Sequence, residues 1–292
     1  MIDTIKNGIS VDVDEVVSTF SDAYNVALER PYERNVCKEI KHVLELFKEL
    51  GIFGTFFVNG KSVAAYPDLI KRIYDGGHEI GCHGYSHKYI NQYKSQQEFE
   101  EDLEKCLELI YEQIKVRPIG YRTPGCTIFF GREMVLDALK KYGFVYSSSL
   151  TSFGSLKQHG YRRASAYPFK WENGIVEFPL SSASFNLFRI PAFGSYFLRL
   201  CPTFLTDMAI SKLNRSNKRA FFYFHGFELF RSKYPREIMN IDFPFFYVYN
   251  LFSGRWFRKK LNYILKKYSF VPYREVLESF TDLPILKDPF FR

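Results

Sequence analysis

Val36-Cys37-Lys38-Glu39-Ile40-Lys41-His42-Val43-Leu44-Glu45-Leu46-Phe47-Lys48-Glu49-Leu50-Gly51 runs directly into Ile52-Phe53-Gly54-Thr55-Phe56-Phe57-Val58. In the first stretch Val36, Ile40, Val43, Leu44 and Phe47 recur at helical spacing, and Gly51 is a normal helix stop. Thr55-Phe56-Phe57-Val58 is a short apolar strand of the kind buried on both faces. A helix that feeds such a strand is part of a parallel β–α–β arrangement.

The same rhythm extends in both directions. Upstream, Ile9-Ser10-Val11-Asp12-Val13-Asp14 alternates apolar and polar positions and reads as a strand ending in acids. Downstream, a helix is expected from about Ser62 to Tyr74, stopping at Gly76-Gly77, and Glu79-Ile80 opens the next strand. Then follow a helix over about Gln97 to Lys115, a strand Ile119 to Arg122, a helix Arg132 to Tyr142 and a strand Phe144 to Tyr146. Such alternation predicts parallel strands joined by crossover helices, with functional groups at or just past the strand ends. Thr151 to Phe193 is less regular and reads as a hairpin or excursion around Phe178-Pro179-Leu180. A helix near Thr203 to Leu213 and a strand Ala220 to Phe224 restore the rhythm. No repeat or linker divides the chain, so residues 1–292 read as one domain, with roughly 240–292 an aromatic and basic C-terminal extension packed on it.

Composition narrows the class. The 292 residues are 46% hydrophobic, enough for a large core, and 18% aromatic. That aromatic excess supplies either a Phe-rich core or platforms for sugar rings or lipid. The net charge of +8 favours an anionic partner. No dense Arg/Lys tract or zinc-finger spacing points to nucleic acid. Five cysteines without a Cys-x-x-Cys pair suit free thiols in a reducing compartment. The start Met1-Ile2-Asp3-Thr4-Ile5-Lys6 lacks the pattern of a signal peptide, and no apolar run is long enough to span a bilayer. A cytoplasmic location follows as an expectation. The Phe/Tyr cluster from Phe243 and the basic residues Arg255, Arg258, Lys259, Lys260, Lys266 and Lys267 add peripheral contact at the inner face of a membrane.

His83-Gly84-Tyr85-Ser86-His87 places two imidazoles four apart, on one side of a helix or helix-like turn, where they can chelate one divalent ion. The glycines of Gly76-Gly77-His78-Glu79-Ile80-Gly81 let backbone approach a ligand, and His78 reads as an anchor of its turn. Asp12 and Asp14, two apart on a strand, converge, and two such carboxylates need a cation or a shared proton. Glu15 can replace Asp14 if the strand breaks early. One carboxylate with two histidines leaves positions open for water and substrate, a set that suits zinc. Cys82 and Cys126 flank this region and read as small packing residues, although either thiol can add a ligand.

The acidic pair, Gly51-x-x-Gly54-Thr55-Phe56-Phe57-Val58, the Gly-His-Glu run into His-x-x-x-His, Arg122-Thr123-Pro124 and Phe224-His225 occur in one order that resembles the polysaccharide deacetylases (NodB-type, carbohydrate esterase family four). The Val-Asp-Val-acid opening, and the stretches Gly194-Ser195-Tyr196-Phe197 and Phe224-His225-Gly226-Phe227-Glu228, are most similar to the exosortase-associated deacetylase subgroup. The resemblance implies an α/β fold, a distorted, incomplete (β/α) barrel, and a hydrolase that removes an N-acetyl group from an amino sugar. It implies Asp14, His83 and His87 as metal ligands, Asp12 as general base, Arg122 as the group that holds it, and His225 as general acid. Backbone N–H groups just after Pro124 would help to hold the oxyanion.

Two departures stand out. Ser147 occupies the place where the family has an Asp that partners the acid histidine, and Gly226-Phe227 replaces the subgroup's Pro-Trp. Glu228 is then the candidate partner of His225. These changes admit an alternative, a catalytically weak or inactive carbohydrate-binding relative, against which the complete set of six site residues stands. A cytoplasmic enzyme would meet a nucleotide-linked or lipid-linked N-acetylated precursor, whose phosphate suits the positive charge. Nothing in the sequence speaks to oligomeric state.

Overall fold

The structure, a computed structural model, describes residues 5–15, 36–151, 165–185, 188–190, 193–231 and 251–287. Strand β1 (Asn7–Val13) is buried along its whole length. It lies between β2 (Thr55–Val58) and β10 (Phe221–His225), and its first residues also meet β11 (Phe270–Val271). From β2 the sheet continues through β3 (Glu79–Cys82), β4 (Gly120–Tyr121) and β5 (Tyr146–Ser147). It ends in β7 (Val176–Glu177) and β6 (Phe169–Lys170). Among the described residues every pairing within this sheet is parallel except that of β6 with β7.

The sheet is curled. β10 begins the strand order and β7 stands next to its far end, yet Phe221 of β10 stacks on Phe178, just past β7, at 5.0 Å. Phe57, Tyr146, Val176, Phe178, Phe221, Val271 and Tyr273 form one buried cluster, drawn from strands that a flat sheet would hold far apart. The architecture is a mixed α/β half-barrel, as expected, and part of the aromatic excess fills its core. Gly120 shows how tight the fit is: a Cβ there would stand 2.0 Å from the Tyr146 ring, whose hydroxyl donates to buried Glu79.

Helices pack around this sheet. α1 (Val36–Leu50) and β2 have the bounds that their residue pattern implies, with Val36, Ile40, Val43 and Phe47 turned inward. The single helix expected over Ser62–Tyr74 is two, α2 (Gly60–Ala65) and α3 (Pro67–Asp75). Tyr66 leaves helical geometry before Pro67, because proline disfavours the helical conformation in the residue that precedes it. α4 (Gln96–Ile114) and α5 (Arg132–Lys141) complete the first half. Among the described residues the excursion contains the β6–β7 hairpin and a two-stranded pair, β8 (Ala183–Phe185) and β9 (Phe188–Ile190). Beyond it lie α6 (Ser195–Leu200), α7 (Thr203–Arg215), α8 (Arg255–Lys267) and α9 (Tyr273–Glu278).

Candidate active site

Parallel register brings the C-terminal ends of the strands together. In the β1–β10 pair Asp12 stands opposite His225, so residues 213 positions apart in the chain begin side by side. β3 ends immediately before His83, and β4 immediately before Arg122.

Arg122 crosses beneath the site. Its Nη1 donates to Asp12 Oδ1 at 2.5 Å, Nε to the Ser148 carbonyl at 3.1 Å, and Nη2 to the hydroxyls of Ser148 and Tyr273 at 3.0 and 3.3 Å. The guanidinium lies 4.1 Å from the centre of the Phe57 ring. Burial works against its charge, but Asp12 outweighs that and holds the pKa above the ordinary arginine value. A cation so enclosed fixes the orientation of the Asp12 carboxylate.

Asp14 lies just past β1 and is buried. Its Oδ1 accepts from Asn59 Nδ2 at 3.0 Å, while its Oδ2 faces His87 Nε2 at 3.1 Å and His83 Nε2 at 3.7 Å. His83 Nδ1 is committed to the Arg122 carbonyl at 2.7 Å, which leaves Nε2 directed at the aspartate. One donor atom from each of Asp14, His83 and His87 lies within 4.8 Å of the others. Burial pushes the Asp14 pKa up, but the two imidazoles outweigh it and hold the carboxyl well below its ordinary range. Burial likewise lowers His83, and Asp14 more than reverses that. A buried carboxylate held by Asn59 and two imidazoles, that of His83 anchored through Nδ1, are a donor set and outer support that suit a divalent ion such as zinc. The residues present fit a metal.

The histidine pair does not sit on a helix. Gly84 at φ +72° and His87 at φ +59° turn the backbone so that both rings face one point, and glycine meets the first of these without strain. Asp102 on α4 holds the loop, accepting from the Tyr85 and Ser86 N–H groups at 2.7 and 3.0 Å and from the Ser86 hydroxyl. Neither Asn59 nor Asp102 stood out in the sequence. Asn59 does carry a legible signal, since it also caps α2 by accepting from Ser62 N–H at 2.8 Å.

His225 presents Nε2 at 3.7 Å from Asp14 Oδ2, so it borders the same cluster. Its Nδ1 meets Glu228 Oε1 at 2.8 Å, and its ring stacks on Phe227 at 4.7 Å. Burial lowers the imidazole pKa, but the hydrogen bond and charge of Glu228, with Asp12 and Asp14 behind it, leave it raised. Ser147 plays no part in that contact: its hydroxyl donates to Ser149 Oγ at 2.8 Å. Buried Glu177 accepts from the Ser149 and Leu150 N–H groups, at 2.7 and 2.9 Å, and fixes the turn on which Ser148 meets Arg122.

Other expectations resolve as follows. His78 accepts from Gly54 N–H at 3.3 Å among Phe47, Phe53 and Phe56, and burial lowers its pKa to about 4, so it anchors its turn as a neutral ring. Among the described residues neither Glu15, Cys82 nor Cys126 belongs to the converging donor atoms. Burial pushes the Cys126 thiol to about 12, unsuited to a thiolate ligand. Of the two N–H groups directly after Pro124, that of Cys126 is committed to the Thr123 carbonyl at 3.0 Å.

Residues 9–147 match the family model described as polysaccharide deacetylase, and residues 148–278 match a domain of unknown function (DUF3473). A peptidoglycan deacetylase of Helicobacter pylori is 36% identical over 111 residues, 38% of this chain and 36% of that protein. A peptidoglycan-N-acetylmuramic acid deacetylase of Bacillus subtilis is 49% identical over 45 residues, covering 15% of this chain and 17% of the relative. The chain thus matches about a third or less of the length of these relatives. Among solved structures, a protein assigned as a polysaccharide deacetylase from Mycobacterium smegmatis superposes with a TM-score of 0.64 at 18% identity, over 100% of this chain and 96% of its own. A pseudoenzyme of carbohydrate esterase family four from Bacillus anthracis gives 0.51 at 12% identity, over 98% and 70% of the two chains. Family model and relatives agree that residues 9–147 are similar to the polysaccharide deacetylases, and the fold of the chain matches solved structures of that kind.

Proposed function

We propose that this chain is a divalent-metal-dependent de-N-acetylase of an amino sugar, carried on a cell-envelope polysaccharide or on its lipid-linked or nucleotide-linked precursor. One observation carries the reading: Asp14, His83 and His87 converge in a buried site that has the Asp12–Arg122 pair on one side and His225 on another. Relatives named as peptidoglycan deacetylases support the substrate class, and the Val-Asp-Val-acid opening supports the exosortase-associated subgroup.

Asp14, His83 and His87 would hold the ion, most naturally zinc, which supplies Lewis-acid polarisation of the amide carbonyl and acidifies a water. Asp12, steadied by Arg122, takes the proton from the attacking water as its oxygen bonds to the acetyl carbon. His225 then protonates the amide nitrogen as the C–N bond breaks, releasing acetate and a free amine. Both groups border one cluster, so neither proton has far to travel.

The alternative, an inactive carbohydrate-binding relative, gains some weight from the pseudoenzyme among the structural neighbours. Retention of base, acid, ligands and holding arginine in one place favours the enzyme. Acetate release should be screened with metal-loaded protein over chitin oligosaccharides, peptidoglycan fragments and nucleotide-linked N-acetylhexosamines. Release that falls ~10²-fold in Asp12→Asn and His225→Ala, with metal retained, supports the mechanism. Binding of a sugar without acetate from any probe supports the alternative.

The proposal extends to an anionic bilayer surface at the cytoplasmic side. α8 buries Phe257, Lys260, Leu261, Ile264 and Leu265 and leaves Arg255, Trp256, Arg258, Lys259, Tyr263 and Lys266 exposed. An outward face that mixes aromatic and basic side chains suits a charged lipid interface. Phe243 to Asn250 lie outside the described residues.

A further inference from the structure

Residues 148–278 match a domain to which no function is assigned, yet they supply His225 and the groups that hold its Nδ1 side. Glu228 and Arg199 are completely buried, at 0% and 1% exposure. One oxygen of the carboxylate is hydrogen-bonded, and the other stands at ion-pair distance from a guanidinium. Oε1 meets His225 Nδ1 at 2.8 Å and accepts from the Ser195 hydroxyl at 2.5 Å, while Oε2 faces Arg199 Nε at 3.4 Å. Arg199 Nη1 donates to Ser253 Oγ at 2.7 Å, and the Gly254 N–H donates to the Glu228 carbonyl at 3.0 Å. Lys260 on α8 donates to the carbonyls of Leu198 and Cys201, fastening the end of the helix that bears Arg199.

Stability alone is a weak reason for this arrangement. A buried ion pair is often no better for folding than apolar residues of the same volume. Ser195 is also held at φ +30°, where L residues rarely settle, while its hydroxyl reaches Glu228. What the arrangement does achieve is directional. An ionised carboxylate only accepts hydrogen bonds, so Glu228 requires the His225 proton on Nδ1 and turns Nε2 toward the Asp12–Asp14 cluster.

We propose that Arg199 is a positioning residue for the acid histidine: it locks Glu228, which fixes the tautomer and direction of His225, and residues 148–278 build this half of the active site. Arg199 stands behind Glu228, while the Ser195 hydroxyl lies beside both partners, donating to Glu228 Oε1 and 3.3 Å from His225 Nδ1. The proposal rests on the deacetylase reading for its kinetic consequence, although its structural consequence does not need turnover.

The test uses the full chain loaded with zinc, chitin oligosaccharide as substrate, and the variants Arg199→Met, Arg199→Lys, Glu228→Gln and Lys260→Met. Arg199→Met should lower kcat by ~10²-fold, the usual scale for a disabled acid, with KM and bound zinc unchanged, and Arg199→Lys should recover part of the loss. Nuclear magnetic resonance of ¹⁵N-histidine protein should show His225 protonated at Nδ1 in the wild type and mixed tautomers in Arg199→Met and Glu228→Gln. Lys260→Met, a purely structural tie, should lower Tm and leave the ring signature intact. If Arg199→Met does not fold, Arg199→Gln carries the same reading. A wild-type tautomer ratio and wild-type kcat in the folded Arg199 variant would overturn the inference. A wild type that releases no acetate defeats the deacetylase reading alone, since the ring signature is read without turnover.

Discussion

His225 Nδ1 lies 2.8 Å from Glu228 Oε1, across the turn that directly follows β10, while the Ser147 hydroxyl turns away to Ser149. The carboxylate partner of this histidine therefore comes from three residues downstream, not from the end of β5. Burial alone would lower the imidazole pKa, and Glu228 is the leading group that reverses it. A general acid works only while protonated, so activity is present below the His225 pKa and is lost as pH rises through it. Glu228→Gln removes the raising charge and should move the alkaline limb of the pH–rate profile to lower pH. Ser147→Asp should change that limb little. Profiles measured at saturating metal decide the matter, and an alkaline limb unmoved in Glu228→Gln would remove His225 from the role of acid.

Arg122 is 1% exposed and serves as the counter-charge of Asp12. Arg122→Met leaves that carboxylate buried and unpaired, a change that typically costs about 3–5 kcal/mol. Chemical denaturation should show a loss of this size together with loss of turnover. A variant as stable as the wild type would mean that Asp12 finds another partner or becomes protonated.

Asp102 touches none of the proposed ligands, yet it gathers the Tyr85 and Ser86 backbone between His83 and His87. Removing such outer support typically weakens metal binding 10–100-fold. Asp102→Ala should therefore raise the Kd for zinc by about 10-fold or more, measured by competition with a chelator. Unchanged affinity would show that Gly84 and the left-handed His87 hold the loop unaided.

The parts legible in the sequence are those fixed by local pattern. The bounds of α1 and β2 follow from apolar spacing and from Gly51, and the parallel half-barrel follows from the alternation around them. The histidine spacing marked His83 and His87 as a pair on a helix or helix-like turn; the structure brings both rings to Asp14 on a non-helical loop in which Gly84 and His87 adopt positive φ. Glu228 was legible by its closeness to His225. Asn59, Asp102, Arg199 and Tyr273 were not, because each acts across the fold. Tyr273 reaches Arg122 over 151 positions, and no periodicity records such a contact. Lys260 counted as one of a basic run, but the packing of α8 turns it inward and leaves its neighbours outside.

That distinction sharpens the membrane proposal. Lys259→Glu with Lys266→Glu reverses charge on the exposed face of α8 and spares Lys260. Co-sedimentation with phosphatidylserine-containing vesicles should fall in this variant and with added salt. Equal partitioning of variant and wild type would count against a lipid-facing α8.

The central claim is that Asp14, His83 and His87 hold one divalent ion. Elemental analysis of protein dialysed against zinc tests it most directly. The wild type and Asp12→Asn should each retain about one ion per chain, since a zinc site of this kind needs three protein ligands and Asp12 is not among them. His83→Ala and His87→Ala should each lose most of it. Full occupancy in both histidine variants would contradict the site.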